Sequence, residues 1–303
     1  QLYSEMTQML GNDHFLTVKH VITDSYNVSI QQIINGILIA GIAGLVIIGG
    51  IKRIGNVTSY LAPIMAAIYF LAAILILLFN LNDVPSSFAK IISMAFNPPA
   101  AVGGVAGVTL LVIMNTMLWG VKRGLYSNEA GQGSAPIAHS TAKTEYPVRE
   151  GVVALLEPFI DTIVICTLTG LTIIVTGAWQ HTEFYTTRID PSFSGEMLNG
   201  SLLTSLAFKE GLSWIFPYGD KIITLGVLLF AISTVISWSF YGDRATEYLF
   251  GETAIPIYRS FYILFVFIGA IASLEAIWAF GDAALGFMTF PNLISIILLS
   301  GGL

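Results

Sequence analysis

The chain has 303 residues, 55% of them hydrophobic and only 11% charged, with a net charge of −6 and a mean hydropathy of +0.77. Ordinary globular domains carry about 25% charged residues, so this deficit, gathered into long uncharged runs, excludes a soluble domain and indicates one polytopic membrane domain. The charges sit between the apolar runs, and nothing in their pattern points to a nucleic-acid partner.

Residues 1–27 scatter His14, His20, Asp13, Lys19 and Asp24 among apolar positions and predict no span. Two histidines without further ligands make no metal site, so the segment is expected to be an extramembrane tail or the remnant of a preceding connection. The chain opens at Gln1 with neither an initiator Met nor a signal-peptide pattern, as a fragment would. Val28 to Ile51 is uncharged and, at about 1.5 Å per residue, long enough to cross the hydrocarbon core. Within it Gly36, Ala40 and Gly44 recur every four residues, a spacing that lets a neighbouring helix come close. Lys52 and Arg53 close this first span.

The second uncharged run, Ile54 to Asn82, predicts a helix over 57–79, with Pro63 near its start where a missing donor is tolerated. From Pro85 to Phe96, the residues Phe88, Ile91, Ile92 and Phe96 fall on one side, as in a short interfacial helix, and Asn97-Pro98-Pro99 ends it.

A third span lies within Ala101 to Thr144, which would measure about 65 Å if wholly helical, twice the membrane. The excess demands a break. The stretch GVKRGLYSNEAGQGSAPIAHSTAKT, from Gly120 to Thr144, supplies it: Ser127, Asn128 and Glu129 precede Gly131, Gln132 and Gly133, with Pro136 beyond. Glycine costs about 1 kcal/mol relative to alanine inside a helix, and the polar side chains compete for backbone groups. Two arrangements satisfy this. Either the helix unwinds near Asn128 at a midplane site, tolerated where protein or a water-filled cavity meets the freed backbone, or the span ends at Lys122 and a cytoplasmic loop follows.

Gly151 to Trp179 is the fourth span, with Glu157 and Asp161 one turn apart near its start and Cys166 inside it as a small apolar residue. Carboxylates in a span face a cavity or a partner, whereas near a helix end they reach the headgroups; the position favours the second. Gln180 to Asp220 is polar, carries Glu183, Asp190, Glu196 and Glu210, and has aromatics enough to fold a cap over the membrane surface. Lys221 to Tyr241 is the fifth span, Pro256 to Phe280 the sixth, and Ala283 to Leu303 the seventh, interrupted at Pro291-Asn292. With the first span running outside to inside, Lys52, Arg53, Lys122, Arg123, Lys143, Arg149, Arg244 and Arg259 fall on or towards the cytoplasm. Segment 180–220 is then extracellular.

The run Gly124-Leu125-Tyr126-Ser127-Asn128-Glu129-Ala130-Gly131-Gln132-Gly133-Ser134-Ala135-Pro136 resembles the signature of the alanine or glycine:cation symporter family. Lys143 to Pro147, Phe159-Ile160-Asp161-Thr162, Trp238 to Thr246 and Pro291-Asn292-Leu293 look like further blocks of that family in the same order, so the similarity covers about 28–303. Tyr126 stands where Phe is expected and Asp243 where Glu is expected. The resemblance implies an all-α membrane protein of about seven transmembrane helices, part of a LeuT-type fold of two inverted five-helix repeats. It also implies that the first broken helix is missing and that the chain is the carboxy-terminal part of a symporter. It favours the midplane break, because the family places this motif in the unwound part of the sixth core helix.

In chemical terms the resemblance implies sodium-coupled transport of alanine or glycine across the plasma membrane, with no covalent step, no cofactor and no metal beyond the coupling cation. A zwitterion needs donors for its carboxylate and acceptors for its ammonium, and half-helix ends offer both. Asn128 adds both in one side chain, next to Ala130 and Gly131. Tyr126 and Trp238 would close an apolar pocket round a methyl group. Glu129 and Asp161 are supporting acids, Glu129 being read as paired with Lys122, Arg123 or another helix rather than as a ligand. Ser233 and Thr234 lie about one turn before Trp238 and resemble the adjacent hydroxyls that hold sodium in LeuT-type transporters; hydrogen bonding back to the helix is their other reading. A channel or receptor is the alternative, though the chain shows neither charged rings nor a signalling domain.

Overall fold

A computed structural model describes residues 19–23, 26–96 and 106–300. Two short antiparallel strands, β1 (Lys19–Thr23) and β2 (Tyr26–Ser29), pair with Lys19 opposite Ser29. The first eighteen positions of the expected tail lie outside the described residues. Ser29 then starts helix α1 (Ile30–Ile47) with a reciprocal cap: its hydroxyl accepts from the Gln32 amide at 3.1 Å, and the Gln32 side chain accepts from the Ser29 amide at 2.9 Å. Two otherwise orphaned donors are satisfied together.

The remaining helices are α2 (Gly50–Phe79), α3 (Val84–Phe96), α4 (Ala106–Ser127), the short α5 (Ala135–His139), α6 (Pro147–Val175), α7 (Gly200–Leu212), α8 (Gly219–Phe250), α9 (Ile255–Ile271) and α10 (Leu274–Leu299). Six stretches among the described residues are long and apolar enough to cross a membrane: α1, α2, α6, α8, Glu252–Ile271 and Ala276–Leu299. Seven were expected. The expected third span corresponds to α4, which at 22 residues measures about 33 Å but carries Lys122 and Arg123 near its end and is not among the six.

Several boundaries move for physical reasons. Lys52 and Arg53 do not close the first span; α1 stops at Ile47, and both cations lie in the opening turns of α2, after Gly50 turns the chain with φ +76°. The fifth span continues beyond Tyr241 to Phe250, so Trp238 lies well inside it. No break falls at Gly281-Asp282; it comes at Ala272-Ser273, where Ser273 caps α10 by accepting from the Ala276 amide. Pro291 lies within α10 and the helix runs through it, with Ser295 donating to the Pro291 carbonyl at 3.0 Å.

The chain divides into two compact units. One comprises Ala66–Ala130 and Thr144–Gly226. Its buried apolar residues include Ala73 and Ile76 of α2, Leu171 of α6 and Ala207, Phe208 and Leu212 of α7. Residue 211 must be glycine for α7 to lie so close: an added Cβ would stand 2.7 Å from Ile76 and 3.0 Å from Thr176. The α3 residues Phe88, Ile91, Ile92 and Phe96 are all exposed, the apolar face an interfacial helix would give to lipid. The segment after α6 folds on itself: Trp179 meets Tyr185, and Phe193 meets both Tyr185 and His181, as edge-on ring pairs.

The other unit comprises, among the described residues, those of 19–65, Gly131–Lys143 and 227–300. Ala43, Val46 and Ile47 of α1, Ile54 of α2, and Ile232 and Ile236 of α8 form its buried cluster. Helix α9 lies against α1 as the small-residue spacing predicts, since a Cβ on Gly36 would fall 3.1 Å from Ala270 and one on Gly44 3.2 Å from Ile263. Large apolar side chains on α9 and α10, among them Phe265, Phe287 and Ile297, point outwards, as spans do towards lipid.

Candidate functional site

The backbone of the Gly124–Pro136 run accounts for the site's shape. Helix α4 ends at Ser127, past Lys122, and the break falls at Asn128. The Asn128 amide still bonds back to Gly124 at 3.0 Å, while the Ala130 amide reaches five residues back to Leu125 at 3.2 Å. The chain then enters the left-handed region at Glu129 (φ +49°), Gly131 (+74°) and Gly133 (+86°). Glu129 is the one non-glycine residue in that region among the described residues. A non-glycine residue held there costs energy that its surroundings must supply, and such positions concentrate at functional sites. Helix resumes at Ala135 with Pro136 in its first turn.

In the first unit, the end of α4 is tied to α6. Ser127 donates to an Asp161 carboxylate oxygen at 2.5 Å. One residue on, Asn128 Nδ2 lies 2.9 Å and Oδ1 3.1 Å from the Thr162 hydroxyl. Both anchors lie in Phe159–Cys166, where α6 widens into a π-helix. Such segments are rare and frequent at functional sites, because they turn side chains out of the regular helical phase. Asp161 is midway along Pro147–Val175, not near a helix end, and its carboxylate reaches a partner rather than the headgroups. That corrects the reading of this acid. Tyr126 is half-buried in the last turn of α4, Glu129 is half-buried, and Ala130 is exposed. Lys122 and Arg123 stand over the Trp119 ring at 5.0 and 5.5 Å.

In the second unit, the Gly131 carbonyl accepts from Asn292 Nδ2 of α10 at 2.9 Å. Gly133 lies against the same residue, with a Cβ position 3.2 Å from Asn292 Cβ. Trp238 is half-buried on α8, its ring 5.6 Å from that of Tyr241. Ser233 is buried and donates to the Phe230 carbonyl at 3.0 Å; Thr234 is half-buried one turn before Trp238. The Ser233 bond uses the hydroxyl hydrogen and leaves the oxygen's lone pairs, the groups a sodium ion would need.

Sequence reasoning gave no site role to Ser127, Thr162, Asn292 or Arg259. The first three stood inside the family-like blocks, which was the available signal. Arg259 was counted only as an orienting charge. It forms a two-point ion pair with Asp243, Nε at 3.1 Å from both carboxylate oxygens and Nη2 at 2.7 Å from Oδ2. Beside it Gly242 admits Tyr258, whose hydroxyl occupies the space a Cβ would need.

The comparisons agree with these blocks. The chain is 39% identical over 98% of its length to an uncharacterized transporter of Haemophilus influenzae. It is 40% identical over 91% to the sodium/alanine symporter AgcS of Methanococcus maripaludis, and 30% identical over 92% to a sodium/proton-dependent alanine carrier protein of Bacillus sp.. It spans 61%, 56% and 62% of those proteins' own lengths, about three-fifths. With six apolar spans among the described residues and this kinship it is a multi-pass cell membrane protein. The model of the sodium:alanine symporter family matches residues 7–303, and the chain belongs to that family.

Proposed function

We propose that the protein carries out secondary active transport of a small neutral amino acid, alanine or glycine, coupled to sodium. The observation that carries this reading is the polar break after Ser127, where a half-buried carboxamide is held by Thr162 at the end of a membrane-length helix. Irregular backbone at membrane depth exposes donors and acceptors without adding charge, the combination a zwitterion requires. In this reading Asn128, with the backbone at Ala130 and Gly131, takes the substrate's charged ends, Tyr126 and Trp238 limit its side chain, and Ser233 and Thr234 serve the sodium ion. Glu129 and Asp161 support the break. Helix α4 counts as the seventh span, and the architecture is that of a LeuT-type transporter with Gly124–Pro136 in its sixth core helix. The names of the relatives from M. maripaludis and Bacillus sp. support alanine and sodium.

Counterflow of labelled alanine into liposomes carrying the full-length protein, with and without a sodium gradient, tests this. Sodium-dependent counterflow competed by glycine is expected. Alanine movement that saturates with neither solute would indicate a channel, and binding without movement a receptor.

A further inference from the structure

The ends of three helices of the first unit surround a cavity that the transport reading does not use. It measures about 640 Å³ and is lined by Phe79 and Asn80 at the end of α2, Thr176 at the end of α6, Glu210 and Gly211 in the last turn of α7, and Trp214 just beyond. Gly211 makes the convergence possible, because it lets α7 rest against Ile76 and Thr176. A helix ends in unsatisfied carbonyls and carries partial negative charge there, so three carboxyl-terminal ends around one cavity give it a negative potential. The side chains reinforce this. Asn80 gives its Nδ2 to the Ile76 carbonyl at 2.8 Å, and Thr176 its hydroxyl hydrogen to the Thr172 carbonyl at 2.8 Å, which leaves each with an oxygen as acceptor. Glu210 adds a full charge: its side chain is exposed, and no ion pair holds its carboxylate among the described residues. Lys209, the neighbouring cation, is exposed and does not line the cavity.

We propose that this cavity binds an organic ammonium ion carried on an apolar body. The aromatic pair decides between cations. Phe79 and Trp214 meet nearly at right angles, at 83°, so one ring presents its edge to its partner and keeps its own faces free of it for a cation. A bare sodium ion would leave the rings and most of the space unused, whereas an alkylammonium suits a volume within the range of about 300–1,000 Å³ typical of small-molecule sites. Alanine fits badly, because its carboxylate would face Glu210 and the carbonyl ends. The site thus differs in chemistry from the break after Ser127, and none of its residues lies in Gly124–Pro136 or in α8. With α2 and α6 both ending at it, the cavity lies at headgroup level, on the side that the lysine and arginine distribution makes extracellular. An ammonium group can reach it there from a free amine in solution or from the headgroup of phosphatidylethanolamine.

Calorimetric titration of the full-length protein in lipid-free detergent, with phenethylammonium and its neutral analogue phenethyl alcohol, tests the site. Saturable binding of the ammonium, about fivefold tighter than the alcohol, is expected. Glu210→Gln keeps the shape and removes the charge, and Trp214→Leu removes a ring; each should weaken the ammonium about fivefold, and Glu210→Gln should leave the alcohol unchanged. Both side chains are exposed, so neither change opens the core. Equal affinity for ammonium and alcohol, or wild-type affinity in both variants, overturns the proposal. Phospholipid added to the micelles separates the two sources. Displacement of the probe by phosphatidylethanolamine and not by phosphatidylglycerol assigns the site to a lipid headgroup, and displacement by neither assigns it to free amines. Equal displacement by both overturns ammonium recognition. Labelled-alanine counterflow bears on the transport reading alone, so either idea can fail without the other.

Discussion

The Thr162 hydroxyl meets both ends of the Asn128 carboxamide, 2.9 Å from Nδ2 and 3.1 Å from Oδ1. A hydroxyl has one hydrogen and two lone pairs, so it accepts from the amide and donates to the carbonyl at once. The position and plane of the carboxamide are therefore held, with its remaining donor and acceptor positions still available. A side chain fixed in this way loses less freedom when a ligand binds, which is how orientation becomes affinity.

Asn128→Ala is expected to weaken alanine binding about fivefold, the loss of roughly 1 kcal/mol for one hydrogen bond, with insertion and folding preserved. Calorimetry on the full-length protein measures it, and a change below about threefold would leave Asn128 a structural role only. Thr162→Val should weaken binding in the same direction, because the amide loses the partner that holds its position. Thr162→Ser keeps the hydroxyl and should bind like the wild type.

For the coupling ion, Ser233→Ala with Thr234→Val should raise the sodium concentration for half-maximal uptake more than the alanine concentration. Ser233 already gives its hydrogen to Phe230, so its replacement removes an acceptor oxygen without leaving a buried donor unpaired. Uptake measured against sodium at fixed alanine decides it. An unchanged sodium dependence would remove both residues from the cation's surroundings.

The break itself was readable because local chemistry causes it: two glycines with positive φ, next to side chains that compete for the backbone, cannot continue α4. That α1 has a close helical neighbour was readable for a similar reason, as Gly36 and Gly44 lie on one helix face, although the spacing did not say that the neighbour is α9. Thr162 could not be assigned from spacing, because nothing local brings a residue of α6 to the end of α4. Asp161 was misplaced because the start of α6 at Pro147 lies in polar sequence, so the apolar run marks only part of the helix. The end of α9 was missed because Ala272-Ser273 carries no glycine or proline, while Gly281-Asp282, which looks like a turn, lies inside α10.

Gly133→Ala should destabilise the protein by about 1–2 kcal/mol from its left-handed backbone alone. The added methyl would also press on Asn292, whose Cβ is 3.2 Å away, and disturb its bond to the Gly131 carbonyl. Thermal unfolding in detergent is the measurement. Asn292→Ala removes that bond without the backbone penalty, so it should lower the transition by less. Equal effects would mean that the hydrogen bond, not the φ angle, dominates.

The Asp243–Arg259 pair gives the largest expected effect on stability. Asp243 is 1% exposed and lies on the helix face of α8 that carries Ile236 and Phe240, so its carboxylate has been withdrawn from water. Arg259 meets it at two points with its planar fork, the geometry that best offsets this desolvation. Gly242 lets Tyr258 into the space alongside, which brings α9 close enough for the pair to form. Arg259→Leu leaves a buried carboxylate without its cation and should cost about 3–5 kcal/mol. Replacing both partners, as Asp243→Leu with Arg259→Leu, removes the charge along with its counterion and should cost much less than the sum of the single changes. A double-mutant cycle on thermal unfolding in detergent measures that coupling. Additive single effects would show that the two residues act independently and that the pair does not hold α8 to α9.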